Sequence, residues 1–192
     1  MRVLVADRLS ESSLDEMRTL GVEVSYEPEL QGEELRRRLP DINVLVVRGT
    51  EVDKAAFDAG GALNLVIRAG AGVKNIDVAT ASERGIYVAA CPGKNASAVA
   101  ELAFTLIGCL DRRVPDGVVS LRAGRWEKDE FARATGLRGR SLGILGLGHV
   151  GRAVLRIAQA YELECHAFSR SLTAAKANEL GVRRAGSPAD LV

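Results

Sequence analysis

Short apolar runs recur along the first half of the chain, each followed by a stretch with helical spacing. Arg2–Ala6 (RVLVA), Val22–Tyr26 (VEVSY) and Asn43–Val47 (NVLVV) read as strands. The last of these is continuous and β-branched, the pattern of a strand in a parallel sheet covered on both faces. Ser10–Leu20 reads as a helix capped by Ser10 or Ser12, and Gly32–Leu39 as a helix stopped by Pro40. Leu63–Ile67 and Ile86–Ala89 add two strands, with Val78–Arg84 helical between them. This alternation predicts a complete small α/β unit with a parallel sheet.

A different pattern follows. Ala96–Arg113 is a helix that is apolar nearly all round, so burial on several sides is expected. Pro115 starts a second helix that runs to about Ala123. Gly124–Gly139 reads as irregular and charged, with Trp126 and Phe131 as its anchors. The junction between domains falls near residues 91–97, giving 1–94 and 95–192.

The second domain contains Ser141-Leu-Gly-Ile-Leu-Gly-Leu-Gly-His-Val-Gly151-Arg152. Its Gly146, Gly148 and Gly151 form a G-x-G-x-x-G. The spacing alone is weak, but Leu142–Leu145 reads as a buried strand and Arg152–Tyr161 as a helix, which is the context the motif requires. Gly146 permits the tight turn, Gly148 lets a pyrophosphate reach the backbone, and Gly151 lets helix and strand pack closely. The backbone at Gly146, Gly148, His149, Val150 and Gly151 would then meet the phosphates at a helix N-terminus. The plainer alternative is a βα turn without a ligand.

A dinucleotide site of this kind expects an acidic residue at the end of the next strand, to hold the adenosine ribose 2′-OH. That strand is Glu164–Phe168, and it ends in Ser169-Arg170-Ser171 with no carboxylate. Arg170 and the flanking hydroxyls suit a 2′-phosphate through charge-assisted hydrogen bonds. The expectation is therefore NADP(H) in preference to NAD(H). If Arg170 is only a solvated loop residue, the site is permissive and NAD(H) is the alternative.

Composition narrows the classes. The net charge of +1 gives no global case for nucleic acid or a membrane surface, and the runs Arg36–Arg38, Arg112–Arg113 and Arg183–Arg184 read as solvated faces. Cys91, Cys109 and Cys165 are far apart and form neither a metal-binding pair nor a disulfide framework, so a reducing cytoplasm is expected. The chain opens directly into a strand, and neither a signal peptide nor a membrane-spanning run is expected.

Several motifs then occur in one order: Ile67-Arg-Ala-Gly-Ala-Gly-Val-Lys-Asn-Ile-Asp-Val78, Gly85-Ile-Tyr-Val, Cys91-Pro-Gly-Lys-Asn95, Ala98-Val-Ala-Glu-Leu-Ala103, Leu121-Arg-Ala-Gly-Arg-Trp-Glu127 and the glycine-rich turn. Together they resemble the D-isomer-specific 2-hydroxyacid dehydrogenases, and most of all the phosphoglycerate dehydrogenases among them. The resemblance covers essentially the whole chain. It implies a flavodoxin-like substrate domain followed by a Rossmann domain, here its first half, with a cleft between the two. It implies hydride transfer between a nicotinamide and a small anionic 2-hydroxy or 2-oxo acid.

The resemblance also implies roles. The loop Arg68–Val73, with Gly70, Ala71 and Gly72, matches the substrate-binding loop, whose backbone N–H groups suit a carboxylate. Arg48 matches an arginine that faces anionic substrate groups; its alternative is a loop salt bridge. Asn95 matches an asparagine at the cleft and is placed to cap the long helix. Residues 96–137 resemble the region through which the family forms homodimers.

There are departures. Ala71 stands where phosphoglycerate dehydrogenases often carry Thr, and Ser169 replaces the usual Asp. The family's catalytic Arg, Glu and His lie further along than Val192, so no catalytic residue is assigned here. His149 sits in the phosphate turn and His166 on the strand at the adenosine end. The 192-residue chain is therefore expected to be inactive alone. The second expectation is a non-enzymatic nucleotide-binding or interaction module, since the family includes dinucleotide-sensing corepressors. No metal site is expected.

Overall fold

The computed structural model describes residues 1–191. The chain divides into two compact units, Met1–Lys94 and a second that begins at Asn95.

The first unit runs β1 (Arg2–Val5), α1 (Glu11–Thr19), β2 (Glu23–Tyr26), α2 (Gly32–Arg38), β3 (Val44–Val47), α3 (Lys54–Ala59), β4 (Leu65–Arg68), α4 (Val78–Glu83) and β5 (Tyr87–Ala90). All neighbouring strands are parallel, in the order β2-β1-β3-β4-β5. This is the flavodoxin-like order, in which the strand sequence reverses direction between β1 and β3.

Alternate residues of the central strands enter two separate cores. Leu4, Leu45, Val47 and Val66 pack with Leu35, Leu39 and Phe57 on one face. Val3, Val5, Val44 and Val46 pack around Leu14 on the other. The continuous apolar runs of β1 and β3 follow from this double coverage. Burial of Phe57 alone contributes about 1.5–3 kcal/mol.

Ser10 caps α1, accepting a hydrogen bond from the Ser13 N–H at 3.4 Å. The helix α3 is an addition to the sequence reading. Asp53 caps it, accepting from the Ala56 N–H at 2.8 Å, and also takes Arg36 at 2.7 Å. Its signal was the aspartate preceding Lys-Ala-Ala-Phe, which is short enough to pass for a loop. The strand β4 begins at Leu65 and not Leu63, because the Leu63 N–H donates to Gly60 in a turn while its side chain reaches the core.

The second unit runs α5 (Ala96–Arg112), α6 (Val114–Arg122), α7 (Lys128–Phe131), β6 (Ser141–Leu145), α8 (His149–Ala160), β7 (Glu164–Phe168), α9 (Ala174–Glu179) and β8 (Arg183–Arg184), then a final turn at Pro188–Leu191. Its strands are parallel in the order β6-β7-β8. Ile144, Leu155, Ala158, Cys165 and Ala167 form the core with Phe104 of α5. Burial raises the Cys165 thiol above its ordinary range, as expected for an inert core thiol.

Two expectations fail in this unit. The helix α5 is not covered on several sides. Ala96, Ala100 and Phe104 are buried, at the i, i+4, i+8 spacing of one stripe. Leu102, Leu106 and Leu110 are 59%, 54% and 78% exposed. Composition registers how apolar a helix is, but not how many of its faces meet a neighbour. Trp126 is also no anchor, being 77% exposed. Phe131 lies in the short helix α7, with the Arg113 guanidinium 5.1 Å from its ring centre.

Candidate functional site

In an open α/β sheet, ligands bind outside the carboxyl ends of the strands, beside the point where the strand order reverses. In the first unit those ends carry Asp7, Arg48-Gly49-Thr50 and Arg68–Val73. Val47 and Arg68 are register partners on β3 and β4, so the two loops are neighbours. The Arg68 side chain donates from Nε to the Arg48 carbonyl at 2.9 Å. Its guanidinium lies over Gly70, where a Cβ would fall 1.8 Å from Nη1. Only glycine leaves room for this arrangement.

The pairing of charges separates these arginines from the rest. Seven of the nine in residues 1–94 form ion pairs: Arg2, Arg8, Arg18, Arg36, Arg37, Arg38 and Arg84. Among the described residues, Arg48 and Arg68 have no carboxylate partner. The nearby carboxylate, Asp7, is occupied by backbone. Its Oδ2 accepts from the N–H groups of Arg48 at 2.6 Å, Gly49 at 3.0 Å and Thr50 at 2.9 Å. Burial would raise the Asp7 carboxyl, but these donors outweigh it and hold the group below its ordinary range.

The loop after β4 is open. The Gly70 N–H is consumed by the Arg68 carbonyl at 2.7 Å, so it is not available to a ligand. Among the described residues, the N–H groups of Ala71, Gly72 and Val73 have no acceptor in the chain. Ala71 and Gly72 are exposed. Two cationic side chains and a row of free N–H donors form a surface that would accept a small anion.

Asn95, at the start of the second unit, occupies the cap position of α5 but makes no side-chain cap bond, and its amide is exposed. The capping role expected of it is absent.

The glycine-rich turn joins β6 to α8. Gly146 has φ +95°, a conformation that favours glycine. Its N–H donates to the Phe168 carbonyl at 2.7 Å, which ties the turn to the end of β7. Around Gly148 nothing lies within 4 Å of a Cβ position, so its outer side is open. The helix α8 starts at His149, three residues earlier than its apolar spacing indicated. Among the described residues, the N–H groups of His149, Val150 and Gly151 have no acceptor, and the first turn holds no acidic side chain. Free donors at the positive end of a twelve-residue helix fit a pyrophosphate.

Ser169, Arg170 and Ser171 follow β7 at the same edge as the turn, since Leu145 and Phe168 are register partners. Arg170 is exposed and has no carboxylate partner among the described residues. His149 is exposed at the helix start, and His166 lies within β7. Among the described residues no cluster of His, Cys, Asp or Glu could hold a metal, and no helix is long and apolar enough to cross a membrane.

The sequence reading missed Asp7. A signal was present, because an acidic residue directly after the first strand of a parallel sheet sits at its ligand-facing end.

Comparison with known proteins agrees with this architecture. A family model for the D-isomer specific 2-hydroxyacid dehydrogenase catalytic domain matches residues 3–184. The D-3-phosphoglycerate dehydrogenase of Archaeoglobus fulgidus is 38% identical over 184 residues, 95% of this chain but 35% of that protein. The chain thus spans about a third of the length of such relatives. A Thermus thermophilus crystal structure, 29% identical, superposes with a TM-score of 0.83 over 96% of this chain and 60% of that one. Two more distant structures share the fold: an acyclic imino acid reductase in complex with NADPH and D-Arg (24% identical, 96% of this chain and 60% of that one, TM-score 0.81) and a Staphylococcus aureus formate dehydrogenase in complex with NAD (22%, 100% and 62%, 0.80). With its doubly wound first unit, its strand–turn–helix at Gly146–Gly151 and a match over nearly its whole length, this chain belongs to the D-isomer-specific 2-hydroxyacid dehydrogenase family.

Proposed function

We propose that this chain supplies the substrate-anion loops and the adenosine–pyrophosphate half of the nucleotide site of an NAD(P)-dependent D-2-hydroxyacid dehydrogenase. The observation that carries the reading is the pair Arg48 and Arg68. They are the two arginines of the first unit without a carboxylate partner among the described residues, and they stand at the carboxyl ends of the adjacent strands β3 and β4, Arg48 directly after β3 and Arg68 as the last residue of β4. Arg48 binds the substrate's anionic group. The backbone of Ala71 and Gly72 receives its carboxylate.

In the second unit, Gly146, Gly148, His149, Val150 and Gly151 hold the pyrophosphate through backbone donors. Ser169 and Arg170 hold the adenosine ribose, and the absence of a carboxylate there favours NADP(H) over NAD(H). The bound dinucleotide would supply the hydride-transferring ring. Relatives named as D-3-phosphoglycerate dehydrogenases suggest a phosphorylated 2-hydroxy acid, which suits two arginines without a carboxylate partner among the described residues.

The exposed stripe Leu102, Leu106 and Leu110 supports a homodimer built around residues 96–137. The three free cysteines suit a reducing compartment such as the cytoplasm.

Calorimetric titration tests the reading. The chain should bind NADP+ more tightly than NAD+, and should bind D-3-phosphoglycerate in a manner lost in Arg48→Ala. Equal affinity of wild type and Arg48→Ala for the acid would overturn the substrate assignment.

A further inference from the structure

The loop that carries Arg48 is held from several directions. Beneath it, Asp7 Oδ2 accepts three consecutive backbone N–H groups, those of Arg48, Gly49 and Thr50, at 2.6–3.0 Å. On the β4 side, Arg68 Nε donates to the Arg48 carbonyl at 2.9 Å. The Asn75 side chain donates to the Thr50 carbonyl at 2.7 Å. The Thr50 hydroxyl, buried with its residue, donates to the Ala6 carbonyl at 3.4 Å.

An aspartate this close to an arginine ordinarily pairs with the guanidinium. Here its charge is taken up by the arginine's own peptide and the two that follow. Hydrogen bonds to an ionised acceptor are about twice as strong as neutral ones. Three on one oxygen satisfy much of its demand. The guanidinium is left free, while the peptide beneath it is fixed.

We propose that Asp7 is a positioning residue for anion capture: its carboxylate locks residues 48–50 so that the Arg48 guanidinium is presented to the substrate rather than folded back onto the protein. The proposal rests on the reading of Arg48 as the anion contact. Ordering the loop before the ligand arrives removes that entropy cost from binding. A carboxylate that merely stabilised the unit would leave anion affinity unchanged once the protein had folded.

The test is a double-mutant cycle on the 192-residue chain, with D-3-phosphoglycerate as the probe and amide NMR shifts as the readout of Kd. Asp7→Ala should speed hydrogen exchange at Arg48, Gly49 and Thr50 and weaken the acid about tenfold, within the coupling range for residues sharing one network. Asp7→Asn retains one acceptor oxygen. It should give a smaller change in the same direction, and it provides a folded variant if the alanine form is lost. In an Arg48→Ala background, Asp7→Ala should weaken binding no further.

Three outcomes would overturn the proposal. These are unchanged affinity in both Asp7 variants, unchanged exchange at the three amides, or an Asp7 effect that persists in full without Arg48. If Arg48→Ala alone leaves affinity intact, the anion-contact reading itself falls. If Arg48→Ala weakens binding and the Asp7 variants do not, only the positioning role falls.

Discussion

Gly151 lies so close to Gly146 that a Cβ at position 151 would fall 2.0 Å from the Gly146 carbonyl oxygen. Backbone cannot yield as a flexible side chain can. Gly151→Ala should therefore disrupt the turn, destabilising the second unit by about 1–3 kcal/mol, the usual range for overpacking. Gly148→Ala should behave differently, because that position faces open space. It should fold as the wild type does and lose dinucleotide affinity by about tenfold or more, since its Cβ takes the place a phosphate would occupy. Thermal melts and NADP+ titrations of both variants separate the two effects.

Ser169→Asp should reverse the cofactor preference. The new carboxylate would stand at the end of β7, beside the turn, where it repels a 2′-phosphate and accepts from a ribose 2′-OH. Arg170→Ala should weaken NADP+ by about 1.5–3 kcal/mol, the contribution of a hydrogen bond to a charged group, and leave NAD+ nearly unchanged. Titration of each variant with both cofactors checks this.

Acid should loosen the first unit through Asp7. Burial raises its carboxyl, but the N–H donors of Arg48, Thr50 and Gly49 prevail and lower it. The unfolded chain therefore takes up this proton more readily than the folded one. The stabilisation is fully present above the unfolded value of about 3.9 and is lost as pH falls through the lower folded value. Urea midpoints measured between about pH 5 and about pH 2 should fall more steeply for wild type than for Asp7→Asn. Parallel curves would show that these hydrogen bonds do not contribute as described.

Assembly should depend on the outer stripe of α5. Leu106→Glu places a charge among Leu102 and Leu110, which are exposed within the second unit. The expected result is a homodimer for wild type and a monomer for the variant by sedimentation at micromolar concentration, with unchanged circular dichroism. A wild-type monomer would show that the stripe has no partner of its own kind.

The chain by itself should not turn over 2-hydroxy or 2-oxo acids. Its two histidines lie at the phosphate turn and within β7, and a positioned general base contributes about 10²–10⁴-fold. Purified chain with NADP(H) or NAD(H) and a panel of such acids should show no change in nicotinamide absorbance that depends on substrate.

Much of the architecture was legible from local pattern. Continuous apolar strands such as Val44–Val47 announced a sheet covered on both faces, and Pro40 marked the end of its helix. The glycine turn was legible because Gly146 and Gly151 answer conformational and steric demands that other residues meet poorly, while Gly148 leaves the outer side of the turn open. What escaped reading was long-range. Nothing near Asp7 in the sequence reveals that it will accept from residues more than forty positions away. The exposure of Leu110 and Trp126 was equally hidden, because an apolar side chain looks the same whether or not a neighbour covers it. The start of α8 was misjudged by one turn, because its first residues are selected for backbone access rather than for apolar spacing.

The freedom of Arg48 and Arg68 has a consequence for selectivity. An entering acid meets no internal carboxylate to outcompete among the described residues, and Arg68 gives up at most its hydrogen bond to the Arg48 carbonyl. The same openness admits any small anion in the medium. Chloride and inorganic phosphate should therefore act as competitors, and discrimination must come from the spacing of the Ala71–Val73 amides rather than from charge.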